Sequence, residues 1–306
     1  MAELTKRAAI WRVTVDSFWE RTRRLLSSHS FRQRMLTTIS TIIVSVGSLV
    51  ILFPVAWMVS TSLKTKFGVY KMPPQWIPPQ PQWHNYVDAL TFNPFHVFIR
   101  NTIFFAGSAM IGELISCSFI AYGFARLRAP IRDLLFVIVL ATMMLPSQVT
   151  IIPQYILFVK YLRWGDSYKP LIVPAFFGSA YVIFLLRQFY MTLPREMDES
   201  AKIDGCNPFG IWWRIILPLS KPALGAVSIM AFMWHWNWFM GPLLYIDSNE
   251  KFPLSLGLSM FRAPFAGTPF HWLMAASLVT VLPCVIIFFF TQRYFIQGIV
   301  ITGVKG

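Results

Sequence analysis

Six apolar runs constrain this chain more than any other feature of its sequence, because each approaches the length needed to cross a bilayer. About 20 mostly apolar residues span ~30 Å of hydrocarbon. The runs occupy 36–60, 101–125 (broken only by Glu113), 134–159, 171–186 (the shortest), 223–246 and 272–292. Lipid offers no partner to a backbone N–H or C=O, so a spanning segment closes its own hydrogen bonds as a helix or joins a closed barrel. The short alternating strands of a barrel are not seen. The expectation is an all-α membrane protein with six transmembrane helices. Composition agrees: charged residues make up 13%, about half the ~25% of an average soluble domain.

The net charge of +14 does not indicate nucleic acid. The cations flank the apolar runs and form no basic stripe with interleaved aromatics. Cys117, Cys206 and Cys284 stand far apart without a CxxC spacing, which gives neither a disulfide framework nor a metal site.

Cation placement sets an expected orientation. Two thirds of the 27 Lys and Arg lie in the N-terminal tail, in 126–132, in 187–221 and at the C-terminus. By the positive-inside rule these regions, and so both termini, face the cytoplasm. The tail, residues 1–35, is too long and too charged for a cleavable signal. Trp11, Val15, Phe18 and Leu25 follow helical spacing beside Arg12, Arg23 and Arg24, which suits a helix on the lipid surface as well as it suits a mobile tail. Residues 36–306 form the expected permeation domain, and 189–221 form a cytoplasmic loop within it.

That loop contains "REMDESAKIDGCNPFGIWWRIILPLSKP", residues 195–222. Pro194 suits a first turn, and Glu196, Asp198 and Glu199 complement the positive end of a helix dipole. Gly205 is placed to end that helix. Asn207-Pro208 caps and begins another, which is expected to end before Pro218. The spacing predicts two short helices joined at a glycine bend. The first shows acidic and small residues, while Trp212, Trp213, Ile215 and Ile216 make the second greasy.

These residues resemble a known family. Glu199-Ser200-Ala201, Asp204-Gly205, Ile215-x-Leu217-Pro218 and Pro222 are similar to the EAA loop of ABC importer permeases, E-A-A-x-x-x-G followed by I-x-L-P. The likeness is strongest to carbohydrate-uptake permeases of the maltose and glycerol-phosphate type. It extends through "AYGFARLR", "PSQVTIIPQY", "WNWF", "LMAAS" and "QRYFIQGIVITGVKG". Ser200 and Cys206 depart from the alanine usual in the family, and both remain small.

The resemblance implies the type I importer permease fold in a prokaryotic inner membrane. It also implies a second homologous permease, two cytoplasmic ATPase subunits and an extracytoplasmic solute-binding protein. The chain has no GxxxxGK[ST] phosphate loop, so ATP and Mg²⁺ would sit on the ATPase subunits and no cofactor on this chain. Glu199, Ser200, Ala201, Asp204 and Gly205 are the implied coupling residues: Glu199 for a charged contact with the ATPase, Asp204 and Gly205 for the bend. No catalytic or metal-binding residue is expected.

Polar and aromatic residues within the runs mark the expected solute path, because intramembrane polar groups rarely face lipid. Glu113 lies mid-run in the second. Gln148, bracketed by Pro146 and Pro153, suggests a broken third helix of the kind that lines translocation sites. Ser179 and Tyr181 lie in the fourth run; Trp234, Trp236, Asn237 and Trp238 lie in the fifth. Trp faces stack on sugar rings while an amide bonds hydroxyls, yet Trp also gathers at membrane interfaces. Helix packing is an equally open reading for Glu113, and His235 is read as a packing residue. A permease for another solute, such as a phosphodiester, remains open. A stand-alone secondary transporter lacks any need for the 195–222 segment, and a membrane enzyme finds no paired carboxylates or Ser/His/Asp set here.

Overall fold

The computed structural model describes residues 29–262 and 267–303, with backbone alone for 29–31 and 293–303. The surface helix expected in the tail lies outside the described residues. The chain divides into two compact units at Ser60/Thr61.

The described part of the first unit lies in α1 (His29–Ser62), which ends two residues past the boundary and whose side chains from Arg32 to Ala56 are exposed. At 1.5 Å per residue such a helix outlasts the hydrocarbon layer, and its apolar residues occupy every side.

The second unit is built on α3 (Phe95–Arg126), which follows the short α2 (His84–Phe92). After it come α4 (Arg132–Thr142), α5 (Ser147–Tyr161), α6 (Lys169–Ile172) and α7 (Ala180–Thr192). Then follow α8 (Glu196–Ile203), α9 (Pro208–Leu219), α10 (Lys221–Trp236), α11 (Met240–Tyr245), α12 (Leu254–Ser259) and α13 (Phe270–Gly303). The described residues contain no strand.

Helix α3 packs on α7 and α10, and α10 packs on α13. A small residue also lets the turn before α7 close on α3: a Cβ at Gly112 would fall 2.4 Å from the ring of Phe176, in the 3₁₀ turn Val173–Phe177. Two apolar cores lie along α3. One gathers Phe95, Phe98, Phe105, Trp236, Tyr245, Leu254 and Phe261. The other gathers Cys117, Ala121, Leu186, Tyr190 and Ala201 with Ile211, Trp212 and Ile216. The second core therefore absorbs the inner faces of α8 and α9.

Among the described residues, four stretches are long and apolar enough to cross a bilayer: Arg32–Ser62, Phe95–Arg126, Lys169–Thr192 and Phe270–Gln292. Six result when each of two bent pairs counts as one span, α4 with α5 at 91° and α9 with α10 at 81°. The third run is thus broken, as Pro146 and Pro153 predict. The fourth is longer than expected, because a 3₁₀ turn (Val173–Phe177) and Gly178, at φ +88°, join α6 to α7.

Two expectations require correction. The fifth run, read as one helix over 223–246, stops at Trp236 and resumes at Met240. Pro242 cannot donate to the Trp238 carbonyl, and its ring excludes a helical turn there; the Ser255 hydroxyl donates to that carbonyl instead, at 2.9 Å. Helix α9, expected to end before Pro218, runs on to Leu219. Its turns from Trp212 to Ile216 widen, so that Leu217 N–H reaches the Trp212 carbonyl. A widened turn accommodates the proline ring that a regular one rejects.

Candidate functional site: a membrane cavity and a two-helix junction

Between α3, α7, α10 and the Pro174–Ser179 break lies a cavity of about 510 Å³. Its position follows from the backbone. Gly178 turns the fourth run where only glycine sits without strain, and a Cβ there would meet Ile120 and Ile183 at 3.3 Å. The Cys117 thiol accepts from the freed Ser179 N–H at 3.1 Å. That backbone donor at the broken turn thereby has a partner.

Glu113, Ser179, Tyr181, Trp234 and Trp238 line this cavity, as does His235. The structure brings five of the eight expected path residues together. Glu113 Oε2 lies 3.0 Å from His235 Nε2, with side chains only 10% and 8% exposed. The contact gives the buried acid a hydrogen-bond partner. His235 Nδ1 is buried without a hydrogen-bond partner, and the Trp238 ring stands 6.2 Å from the imidazole ring. The wall therefore offers aromatic faces beside a hydrogen-bonded acid–imidazole pair, which is a means of holding a molecule with apolar faces and hydroxyl edges.

The other three expected residues do not line it. Trp236 is buried in the α3 core and donates Nε1–H to the Thr280 carbonyl at 3.3 Å. Asn237 donates its side-chain amide to the Met233 carbonyl at 2.8 Å, closing the end of α10. Gln148 is exposed on α5, beside Ser147.

The 195–222 segment takes the two-helix form read from its punctuation. Cys206 N–H donates to the Ala201 carbonyl at 2.9 Å and Gly205 N–H to Lys202 at 3.1 Å, with Gly205 at φ +80°. This is a Schellman closure. Asn207 Oδ1 then accepts from Gly210 N–H at 2.7 Å and starts α9. Among the expected coupling residues, Glu199, Ser200, Asp204 and Gly205 are exposed, whereas Ala201 is buried in the core. Ile203, two residues before the glycine, is 87% exposed, and sequence reasoning passed it over.

Side chains bind the segment to the membrane helices. Trp212 donates to Ser118 Oγ at 3.0 Å, and that hydroxyl shares a 2.7 Å hydrogen bond with Tyr190. Arg126 Nη2 donates to the Leu193 carbonyl at 2.7 Å, and Nη1 lies 3.5 Å from Asp198 Oδ2.

A second polar cluster joins the loop before α6 to the loop after α11. Asp166 accepts from Ser248 Oγ at 2.6 Å, from Lys251 Nζ at 2.7 Å, and from the N–H groups of Ser248 and Asp247. The Lys251 ammonium first, then the Ser248 hydroxyl, hold this carboxyl well below the usual carboxylate range. Tyr168 donates to the Lys251 carbonyl at 2.8 Å, and Asn101 to Glu250 at 2.8 Å.

Comparison with known proteins gives a consistent picture. Residues 114–301 match the family described as binding-protein-dependent transport system inner membrane component. The chain is 42% identical over 193 residues to the arabinooligosaccharides transport system permease protein AraQ of Bacillus subtilis (strain 168), covering 63% of this chain and 68% of that one. It is 33% identical over 276 residues to the sn-glycerol-3-phosphate transport system permease protein UgpE of Pectobacterium atrosepticum, covering 88% and 97%. Its fold matches a chain in the crystal structure of a bacterial ABC transporter involved in the import of the acidic polysaccharide alginate. The TM-score is 0.75 at 22% identity, over 88% of this chain and 98% of that one.

Proposed function

This chain belongs to the family of binding-protein-dependent inner-membrane transport components, and we propose that it is one permease subunit of an ATP-driven importer of sugars or oligosaccharides. It forms half of a translocation pathway with a second permease and receives solute from an extracytoplasmic binding protein. Two cytoplasmic ATPase subunits supply the energy. Both termini and the 189–221 loop face the cytoplasm, where Glu199, Ser200, Asp204, Gly205 and the apolar tip Ile203 meet an ATPase cleft. Closure of the ATPase pair draws the coupling helices together, and the packed membrane helices respond by changing the side to which the path opens.

The character of the cavity carries the substrate class. Trp234, Trp238 and Tyr181 offer ring faces and Glu113–His235 offers an acceptor and a donor, while no Lys or Arg among the described residues lines the wall. That chemistry suits a neutral, hydroxyl-rich solute. A phosphodiester, or a phosphorylated polyol such as the glycerol phosphate named for one relative, would meet an acid and find no Lys or Arg among the described lining residues. The test is competition uptake with the assembled transporter. Neutral arabino- or gluco-oligosaccharides should displace labelled substrate, and Trp234→Ala should lower uptake about tenfold, since a stacked aromatic contributes ~1 kcal/mol or more beyond its buried area. Displacement only by phosphorylated solutes, with Trp234→Ala silent, would remove the carbohydrate reading.

A further inference from the structure

We propose that Arg126 and Asp198 form the joint through which movement of the α8 coupling helix reaches the membrane helices. The proposal rests on the coupling role given to α8 above. Only Asp198 and Ala201 of that helix are buried; Glu196, Met197, Glu199, Ser200, Lys202 and Ile203 are exposed. Helix α8 therefore has two anchors to the rest of its unit. Ala201 is a methyl contact, which resists compression and slides sideways. Asp198 is a carboxylate whose side chain is 9% exposed, facing a guanidinium that is 3% exposed, and a buried ion pair resists being pulled apart because separation leaves both charges uncompensated.

The guanidinium joins three element ends at once. Arg126 belongs to the last turn of α3, where a cation complements the helix dipole. Its Nη2 holds the Leu193 carbonyl that ends α7, and its Nη1 faces Asp198 in the first turn of α8. Movement of α8 is thus presented to the two helices that carry Glu113, Tyr181 and Val182 of the cavity wall. A lysine has one ammonium where arginine has a planar fork, and it does not hold both acceptors in this geometry.

The joint also has slack. At 3.5 Å the ion contact is longer than a charge-assisted hydrogen bond of ~2.7–2.9 Å. Arg126 Nε and Asp198 Oδ1 are both buried without a hydrogen-bond partner, so an unmet donor and an unmet acceptor stand on the same two side chains. Beside them is a cavity of about 330 Å³, bounded also by Arg128, Arg195, Glu199 and Lys202. Unfilled bonding capacity and adjacent room mark a contact with a second, tighter arrangement. A joint of that kind transmits a displacement after taking up its play, which is what a two-state coupling element requires.

The test compares Asp198→Asn and Arg126→Lys with the parent chain in the full transporter, reconstituted in liposomes with binding protein. Solute imported per ATP hydrolysed and ATPase subunits retained per permease are measured together. The expected result is retained ATPase subunits, at least half of the stimulated hydrolysis, and a fall of about tenfold in solute per ATP, with Arg126→Lys intermediate. Where Asp198→Asn fails to assemble, Arg126→Lys decides by the same ratio. An unchanged ratio overturns the proposal. So does a loss of transport that only follows loss of the ATPase subunits, because the pair would then merely shape the docking surface. Glu199→Arg separates the two readings: if it releases the ATPase while Asp198→Asn leaves the ratio intact, the coupling role stands and the joint falls. If Glu199→Arg leaves assembly and uptake intact, the coupling role itself falls.

Discussion

Single residues decide the geometry at both ends of the second unit, and they differ in how readily the sequence declares them. Gly205 is the most legible. Its φ of +80° closes α8, and a Cβ there would meet nothing within 4 Å. The penalty for Gly205→Ala is therefore backbone strain alone, about 1–2 kcal/mol, which corresponds to a five- to thirty-fold rise in local opening. Amide hydrogen exchange at Gly205 and Cys206 should show that rise, and Asn, which tolerates this conformation better, should show less. Equal exchange in all three forms would mean the Schellman closure contributes nothing. The role of Gly205 was legible because punctuation is local: glycine, then Asn-Pro two residues on. Glu113 and His235 are the opposite case, standing 122 residues apart. Sequence reasoning could place an acid in one run and an imidazole in another without any sign that they face each other. His235 is read from the sequence as a packing residue; the structure buries it against Glu113 and also sets it in the cavity wall.

At the scale of elements, helix propensity and hydropathy located the runs, and prolines and glycines located the breaks where they were given weight. The third run is bent at Pro146 as its prolines indicate. The fifth carries an equally plain Gly241-Pro242, but its apolar character continues past the break and masked it. The loops that fasten these elements are legible only in the structure, because they pair distant segments. The Asp166 cluster gives one element-scale expectation. Its carboxyl is depressed below the ordinary ~3.9 by Lys251 and Ser248. A depressed group contributes stability that is fully present above the unfolded value and lost as pH falls through the folded one. Protection of the Asp247 and Ser248 amides, corrected for intrinsic exchange, should thus stay constant from pH 7 down to about 4.5, since that window lies above the unfolded value. Asp166→Ala should lower it about tenfold across the whole range. Loss of protection already near pH 5 in the parent chain would show that the carboxyl is not held as described.

At the largest scale, the second unit reads as a device with two ends. At one end, α3, α7 and α10 enclose an aromatic cavity with a buried acid–imidazole pair. At the other, the same α3 and α7 are tied to a two-helix segment by Arg126–Asp198 and by the Trp212–Ser118–Tyr190 chain. The family and the all-helical architecture were evident in the sequence, since the punctuated loop and six apolar runs occur together. The shared use of α3 and α7 by both ends was not, because it arises from packing of helices remote in the chain.

The coupling of a partner ATPase to transport through the 195–222 segment is proposed from residues that a single experiment can address. The most direct measurement is co-purification of ATPase subunits with the permease, parent chain against Glu199→Arg combined with Gly205→Pro, with binding-protein-stimulated hydrolysis and uptake read in the same samples. Loss of the ATPase subunits, or hydrolysis that no longer drives uptake, is the predicted result. Intact assembly with undiminished uptake would contradict the account and leave the segment an ordinary connecting loop.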